Sequence, residues 1–184
     1  MNQSEIYQPA EDSFLLAECV KYFLESSKIN KKEIKVLDMG SGSGIQSTNL
    51  INQDVSERNI VLVDINPDTI SFLKKKFTNS KIILSNLFEK LNSEKNKFDL
   101  ILFNPPYLPE NKFDKGLDTT GGKNGSEVIN NFLVQAKKYL SKNGKIIVLT
   151  SSLTKKINWQ DYKKKCIGKK RIFFEILYVW ELEV

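Results

Sequence analysis

The stretch Ile34–Gly44, IKVLDMGSGSG, decides the fold. Ile34 to Met39 is mostly apolar, like a strand buried on both faces of a parallel sheet. It runs directly into a loop with glycine at 40, 42 and 44, where the backbone can turn tightly and approach a ligand closely. Ile45–Gln53, IQSTNLINQ, continues as a helix. The dinucleotide pattern G-x-G-x-x-G is not met, because Ile45 stands where that pattern has its third glycine. A Walker phosphate loop is excluded too, since no Gly-Lys-Ser/Thr follows.

Outward from this loop the order of elements is regular. Upstream, Pro9–Ser26 reads as an amphipathic helix, with Phe14, Leu15, Cys19 and Phe23 at helical spacing. Pro9 suits the first helical position, and Glu11 and Asp12 suit the positive end of the helix dipole. Downstream come a second strand (NIVLVDIN, 59–66), a helix opened by Pro67 (67–77), a third strand (SKIILSNLF, 80–88) and a fourth (FDLILFNPP, 98–106). A polar loop containing TGGKNG (120–125) leads to a helix from about Ser126 to Leu140, and GKIIVLTSS (144–152) is the fifth strand. Strands separated by helices predict a parallel sheet with helices on both faces. RIFFEILYVWELEV (171–184) reads as one long strand, and DYKKKCIG (161–168) as another before it. LTKKINWQ (153–160) is too short for a crossover helix, so the ending is expected to be antiparallel and hairpin-like, with one reduced helix.

Composition narrows the class. At 184 residues the chain reads as one domain, 1–184, with no repeat or low-complexity linker. No run approaches the ~20 apolar residues of a membrane span. The polar start MNQSEIYQPAEDS does not read as a signal peptide, which sets the expectation of a reduced, cytoplasmic protein. With no histidine, and with Cys19 and Cys166 far apart, a zinc site or a Ser-His or Cys-His nucleophile is not expected. Net charge is +6, with lysines clustered at 74–76, 163–165 and 169–170 and arginine only at 58 and 171. A solvated lysine-rich surface is the plainer reading, since a dedicated phosphate or base reader favours arginine forks.

The chemistry sits at the strand ends. Asp38 just precedes the glycine loop, where a carboxylate repels phosphate and attracts an ammonium group or organises water around one. Asp64 ends the second strand, placed to take both hydroxyls of a ribose. Asn86 ends the third, where an amide can read the edge of an adenine with Leu87 packing on the ring. Each is weak alone, because an aspartate after a strand is commonly a turn residue. In sequence order they describe a nucleoside with a cationic, amino-acid-like tail, which is S-adenosylmethionine.

At the fourth strand end, Asn104-Pro105-Pro106-Tyr107 stops the strand, since proline cannot donate ladder bonds. Asn104 offers a side-chain carbonyl, and Pro105 presents a backbone carbonyl without an N–H of its own. Two such acceptors hold a planar NH2 group by both hydrogens, and Tyr107 can stack on that plane. An amide or aryl nitrogen is a poor nucleophile, so holding its hydrogens and aiming it at the methyl supplies proximity and favours the developing charge.

LDMGSGSG together with FNPPY resembles the class I methyltransferases that modify planar amino nitrogens. YQPAEDSFLL and GGKNGSEVINNFL narrow the resemblance to the archaeal and eukaryotic type of release-factor glutamine N5-methyltransferase, within the HemK-like family. The resemblance covers nearly the whole chain from Ile6 and implies a Rossmann-like, mostly parallel seven-stranded sheet with an antiparallel C-terminal strand. It implies that residues 1–30 cover the cofactor site, and that Ser13, Asp38, Gly40, Gly42, Gly44, Asp64, Asn86 and Leu87 bind S-adenosylmethionine. Asn104, Pro105, Pro106 and Tyr107 would hold the glutamine of a Gly-Gly-Gln loop in a class I peptide chain release factor. A small zinc-binding activator subunit is the implied partner, and any zinc would belong to it. The sequence departs from the family where Asn86 replaces a common aspartate and where 152–163 is short, costing a helix near the sheet edge. Two rival functions share parts of this pattern: an adenine-N6 methyltransferase of RNA or DNA, and a catalytically silent cofactor-binding subunit. The first lacks a recognition domain or aromatic-rich basic platform, and the second has no need of the Asn104 clamp.

Overall fold

The computed structural model describes residues 8–110 and 120–184; Tyr7 of the N-terminal motif and 111–119 of the polar loop lie outside them. Among the described residues, seven strands form one sheet: β1 (Val36–Met39), β2 (Ile60–Asp64), β3 (Lys81–Leu84), β4 (Phe98–Phe103), β5 (Leu140–Ser151), β6 (Lys163–Ile172) and β7 (Glu175–Glu183). Their order is β3-β2-β1-β4-β5-β7-β6. β1 to β5 run parallel, and β7 lies antiparallel between β5 and β6. This is the expected mostly parallel sheet with an antiparallel end.

Period-2 alternation in the central strands builds two cores. Leu100 and Leu102 of β4, with Ile147 and Leu149 of β5, face one layer formed by α1 (Glu11–Ser26), α2 (Ile45–Asn52) and α3 (Pro67–Lys76). Ile101, Phe103, Ile146 and Val148 face the other, which carries α4 (Glu127–Ala136). The β3–β4 connection contributes turns in place of a helix. Phe88 from that connection is fully buried and stacks on Tyr139 and Phe132 at 4.4 and 5.6 Å, covering the face that a helix would otherwise cover. Truncating such a ring to alanine typically costs about 3–5 kcal/mol.

Four local expectations are corrected. The N-terminal helix starts at Glu11 with Ala10 as its cap, so Pro9 stands before the helix and not at its first position. Its buried face includes Asp12, Leu15, Leu16, Cys19 and Leu24, while Phe14 points to solvent on the face it shares with Glu18, Lys21 and Glu25. The strand expected from Arg171 to Val184 is two strands: Arg171 and Ile172 end β6, and a turn at Phe173–Phe174 reverses the chain into β7. Between β5 and β6 the described chain forms turns and no helix, with the side chains of Trp159 and Tyr162 packed on the exposed half of the sheet.

α1 crosses to the antiparallel half and seals the first core there. A Cβ on Gly168 of β6 would lie 2.2 Å from Cys19 Sγ, so only glycine permits this approach. The closure brings the first turn of α1 over the carboxyl ends of β1 and β4. No described helix is long and apolar enough to cross a membrane.

Candidate active site

The carboxyl ends of β1 to β4 and the first turn of α1 enclose a cavity of about 310 Å³. It opens where strand order reverses between β1 and β4, the usual ligand position in an open parallel sheet. Its volume is of the small-molecule class.

From β1, Asp38 is buried and accepts hydrogen bonds from Ser47 Oγ and N on α2, at 2.6 and 3.2 Å. Burial pushes its carboxyl up to about 7, with the Ser47 bonds opposing and the charge of Asp64 adding to the rise. Among the described residues, no lysine or arginine lines the cavity, while Asp12, Asp38 and Asp64 do. Such a donor set rejects a pyrophosphate and suits a cation with a ribose diol.

Gly40 and Gly42 both adopt left-handed φ, +62° and +51°, which lets the loop fold back between β1 and β2. Gly42 N–H donates to Asp64 Oδ2 and Asn66 N–H to Oδ1, each at 2.9 Å, so the Asp64 carboxylate is fixed at the rim of β2. Gly44 is placed differently. It is absent from the cavity lining and serves as the left-handed N-cap of α2, where a Cβ would meet the Phe77 ring at 2.4 Å. At the end of β3, Asn86 Nδ2 donates to Glu89 Oε1 at 2.8 Å, which leaves its carbonyl oxygen as the acceptor for an exocyclic amine. Leu87 beside it is buried and lines the cavity.

At the end of β4, Asn104 Nδ2 donates to Asp12 Oδ2 at 3.0 Å and to Ser13 Oγ at 3.4 Å. A carboxylate only accepts, so Asp12 fixes which way the Asn104 amide faces. Asn104 Oδ1 is buried and has no partner among the described residues. An unmet buried acceptor costs about 1–3 kcal/mol, so this oxygen is held ready for an incoming N–H. Tyr107 OH donates to the same Asp12 Oδ2 at 3.4 Å. Pro105 and Pro106 line the cavity between them.

The clamp is braced from behind. Thr154 Oγ1 donates to the Tyr107 carbonyl at 2.9 Å, and Gly121 N–H to that of Leu108 at 2.9 Å. Cβ atoms on Gly121 and Gly125 would lie 2.4 and 2.3 Å from the carbonyl oxygens of Pro106 and Tyr107. The GGKNG loop therefore packs directly on the clamp backbone, a role its sequence alone did not reveal.

The structure thus gathers Ser13, Asp38, Gly40, Gly42, Asp64, Asn86, Leu87, Asn104, Pro105, Pro106 and Tyr107 around one cavity, and sets Gly44 aside. It adds two residues. Asp12, only 4% exposed, was read as a dipole partner, although it shares a helix face with Leu15, Leu16 and Cys19; an acid on a buried face was the available signal. Gln46 of α2 donates through Nε2 to the Ser13 carbonyl at 2.9 Å, and its buried Oε1 is unpartnered at the cavity wall. No spacing in the sequence pointed to it.

Residues 30–178 match a methyltransferase domain family. The chain is 35% identical to a Methanocaldococcus jannaschii protein provisionally named a protein N5-glutamine methyltransferase, over 97% of this chain and 93% of that one. It is 30% identical to methyltransferase HEMK2 of Homo sapiens, over 80% of this chain and 72% of the relative. Among solved structures, the E. cuniculi Mtq2–Trm112 complex, responsible for methylation of the eRF1 translation termination factor, matches with a TM-score of 0.73 at 21% identity. The match covers 96% of this chain and 97% of that one, which establishes the shared fold. The strand-end acids, the glycine loop and the asparagine clamp thus stand in a relative of known enzymes, and the chain belongs to the HemK-like branch of the class I methyltransferases, which use S-adenosylmethionine.

Proposed function

We propose that this chain, acting as a single catalytic domain in the cytoplasm, methylates the side-chain amide nitrogen of glutamine in the Gly-Gly-Gln loop of a class I peptide chain release factor. The observation that carries the reading is the buried, unpartnered Oδ1 of Asn104, oriented by Asp12 at the cavity wall. A glutamine amide offers two N–H donors in one plane, the complement of Asn104 Oδ1 and the Pro105 carbonyl. A lysine ammonium is tetrahedral and matches such a pair poorly. The names of the relatives point the same way, toward N5-glutamine in M. jannaschii and eRF1 in the E. cuniculi complex.

S-adenosylmethionine supplies an electrophilic methyl group when bound. In this reading Asp64 takes its ribose hydroxyls, Asn86 and Leu87 its adenine, and Asp38 and Ser13 its amino-acid end. Asn104 and Pro105 hold the amide hydrogens and so aim the nitrogen lone pair, while Tyr107 restrains the amide plane. Ordering these groups in advance removes entropy that would otherwise oppose reaction. The uncovered β3 edge, with exposed Leu84 and neighbouring exposed Ile65 and Phe72, suits a small zinc-binding activator subunit like the second chain the family resemblance implies.

The test is incubation of the chain, alone and with the activator, with methyl-labelled cofactor and the cognate factor, total RNA or DNA in parallel. Label on the factor, lost in Asn104→Ala, is expected. Label on nucleic acid alone would move the assignment to adenine N6, and no label anywhere would leave only a cofactor-binding subunit.

A further inference from the structure

The turn joining β6 to β7 places Phe173 and Phe174 in solvent, 92% and 85% exposed. Phe173 also holds a φ of +46°, the left-handed region where hairpins normally use glycine or asparagine. Neither ring belongs to either core cluster, so packing among the described residues gives no reason for two phenylalanines here.

Position supplies one. β7 pairs antiparallel with β5, Ser151 against Leu177, and just beyond, Ser152 N–H donates to the Ile176 carbonyl at 2.8 Å. The tip therefore rises from the carboxyl end of β5, on the same rim as Asn104–Tyr107. β7 is two strands from β4, so the tip stands ~10 Å to the side of the clamp at ordinary strand spacing. The two are also linked through the chain, since Thr154, just past β5, bonds to the Tyr107 carbonyl.

Charge sets the rest of the surface. Lys169, Lys170 and Arg171 stand exposed immediately behind the tip, and none is ion-paired among the described residues. Lys163, at the other end of the strand, lies 3.9 Å from Glu183, which Lys145 also pairs with. Aromatic anchors with a charged rim behind them are the pattern of a protein interface. A nucleic-acid backbone would meet cations first, and here the phenyl rings are outermost.

We propose that this hairpin tip docks the folded body of the substrate protein, inserting Phe173 and Phe174 into an apolar pocket rimmed by carboxylates while the glutamine loop enters the clamp. The proposal rests on the release-factor reading above. It separates two levels of recognition: the clamp selects the amide, and the tip selects the protein that carries it. A short Gly-Gly-Gln peptide fills the clamp without reaching the tip.

The test compares wild type with Phe173→Ser/Phe174→Ser and with Lys169→Glu/Arg171→Glu, each with its activator if one is needed for solubility. Direct binding of the full factor, KM and kcat for the factor, and methylation of the short peptide are measured. Each variant should weaken factor binding and raise its KM by about tenfold or more, with kcat and peptide methylation unchanged. Unchanged factor binding in both variants, or equal loss with the peptide, overturns the proposal. So does a tip that proves to hold RNA or a second copy of the chain while factor binding stays intact, or a factor that does not bind wild type. A factor that binds through the tip but is not methylated would instead sustain the docking and refute the catalytic reading.

Discussion

Asp38 makes cofactor binding depend on pH in a way that can be worked out in advance. The carboxyl is buried, bonded among the described residues through Ser47 N–H and Oγ–H, and holds its proton up to about pH 7 against an ordinary 3.8. Between those values the folded chain binds more protons than the unfolded chain, so stability without cofactor falls as pH rises through this window and is level above it. The shift corresponds to ~4 kcal/mol as an upper bound. Asp38→Asn, which keeps an oxygen for Ser47, should therefore raise the Tm of the cofactor-free protein at pH 7.5. If a cationic cofactor requires charged Asp38, binding must expel its proton below pH 7. The Kd for S-adenosylmethionine should then be about 25-fold weaker at pH 5.5 than at 7.5, with nearly one proton released per site at pH 5.5. The cofactor's own amino group, with an ordinary pKa of ~7.7–8.0, is partly deprotonated at pH 7.5 and trims this ratio by less than twofold. Calorimetry in buffers of different ionisation enthalpy reads both quantities. Asp38→Asn should bind weakly with a flat profile. A wild-type Kd that does not change between pH 5.5 and 7.5, with no proton released, would refute the assignment of Asp38 to the cationic end of the cofactor.

Asp12→Asn removes the group that fixes the Asn104 amide while keeping its size, so kcat should fall about 10- to 100-fold, well beyond the few-fold weakening of cofactor Kd expected from losing one cavity carboxylate; steady-state kinetics paired with calorimetry separates the two. Gly44→Ala combines a left-handed φ of +72° with a Cβ 2.4 Å from the Phe77 ring and should cost about 2–3 kcal/mol, a fall in Tm of about 5–10 °C. Because Gly44 packs α2 on α3 and does not line the cavity, the cofactor Kd of the folded variant should stay within about threefold of wild type.

The parallel half of the fold was legible because each of its strands is an apolar run ending in a punctuating residue: Gly40, Asn66, Asn104. Strand order was carried only by resemblance, since periodicity says which face a residue takes and nothing of its neighbours. The β6–β7 turn escaped detection because Phe173 and Phe174 are strong strand formers without glycine or asparagine, and apolar alternation continues through them. The cavity positions of Asp64 and of Asn104–Tyr107 could be read because a side chain at a strand's carboxyl end has few places to point. Asp12 could not, since its partner Asn104 lies 92 residues away and only the closure of α1 over the sheet brings them together. The place of Gly44 outside the cavity lining was not legible, because a glycine in a loop satisfies two different demands, close ligand approach and close helix packing, and spacing does not distinguish them.

The central claim is that a planar side-chain amide is the methyl acceptor, held by Asn104. Tandem mass spectrometry of the cognate release factor after reaction with wild type, Asn104→Ala and Asn104→Asp tests it most directly. One methyl group on the side chain of the Gly-Gly-Gln glutamine, present with wild type and lost by about 100-fold or more with Asn104→Ala, is the predicted result. A methyl group on any other residue of the factor, or one on that glutamine that persists in Asn104→Ala, would contradict it.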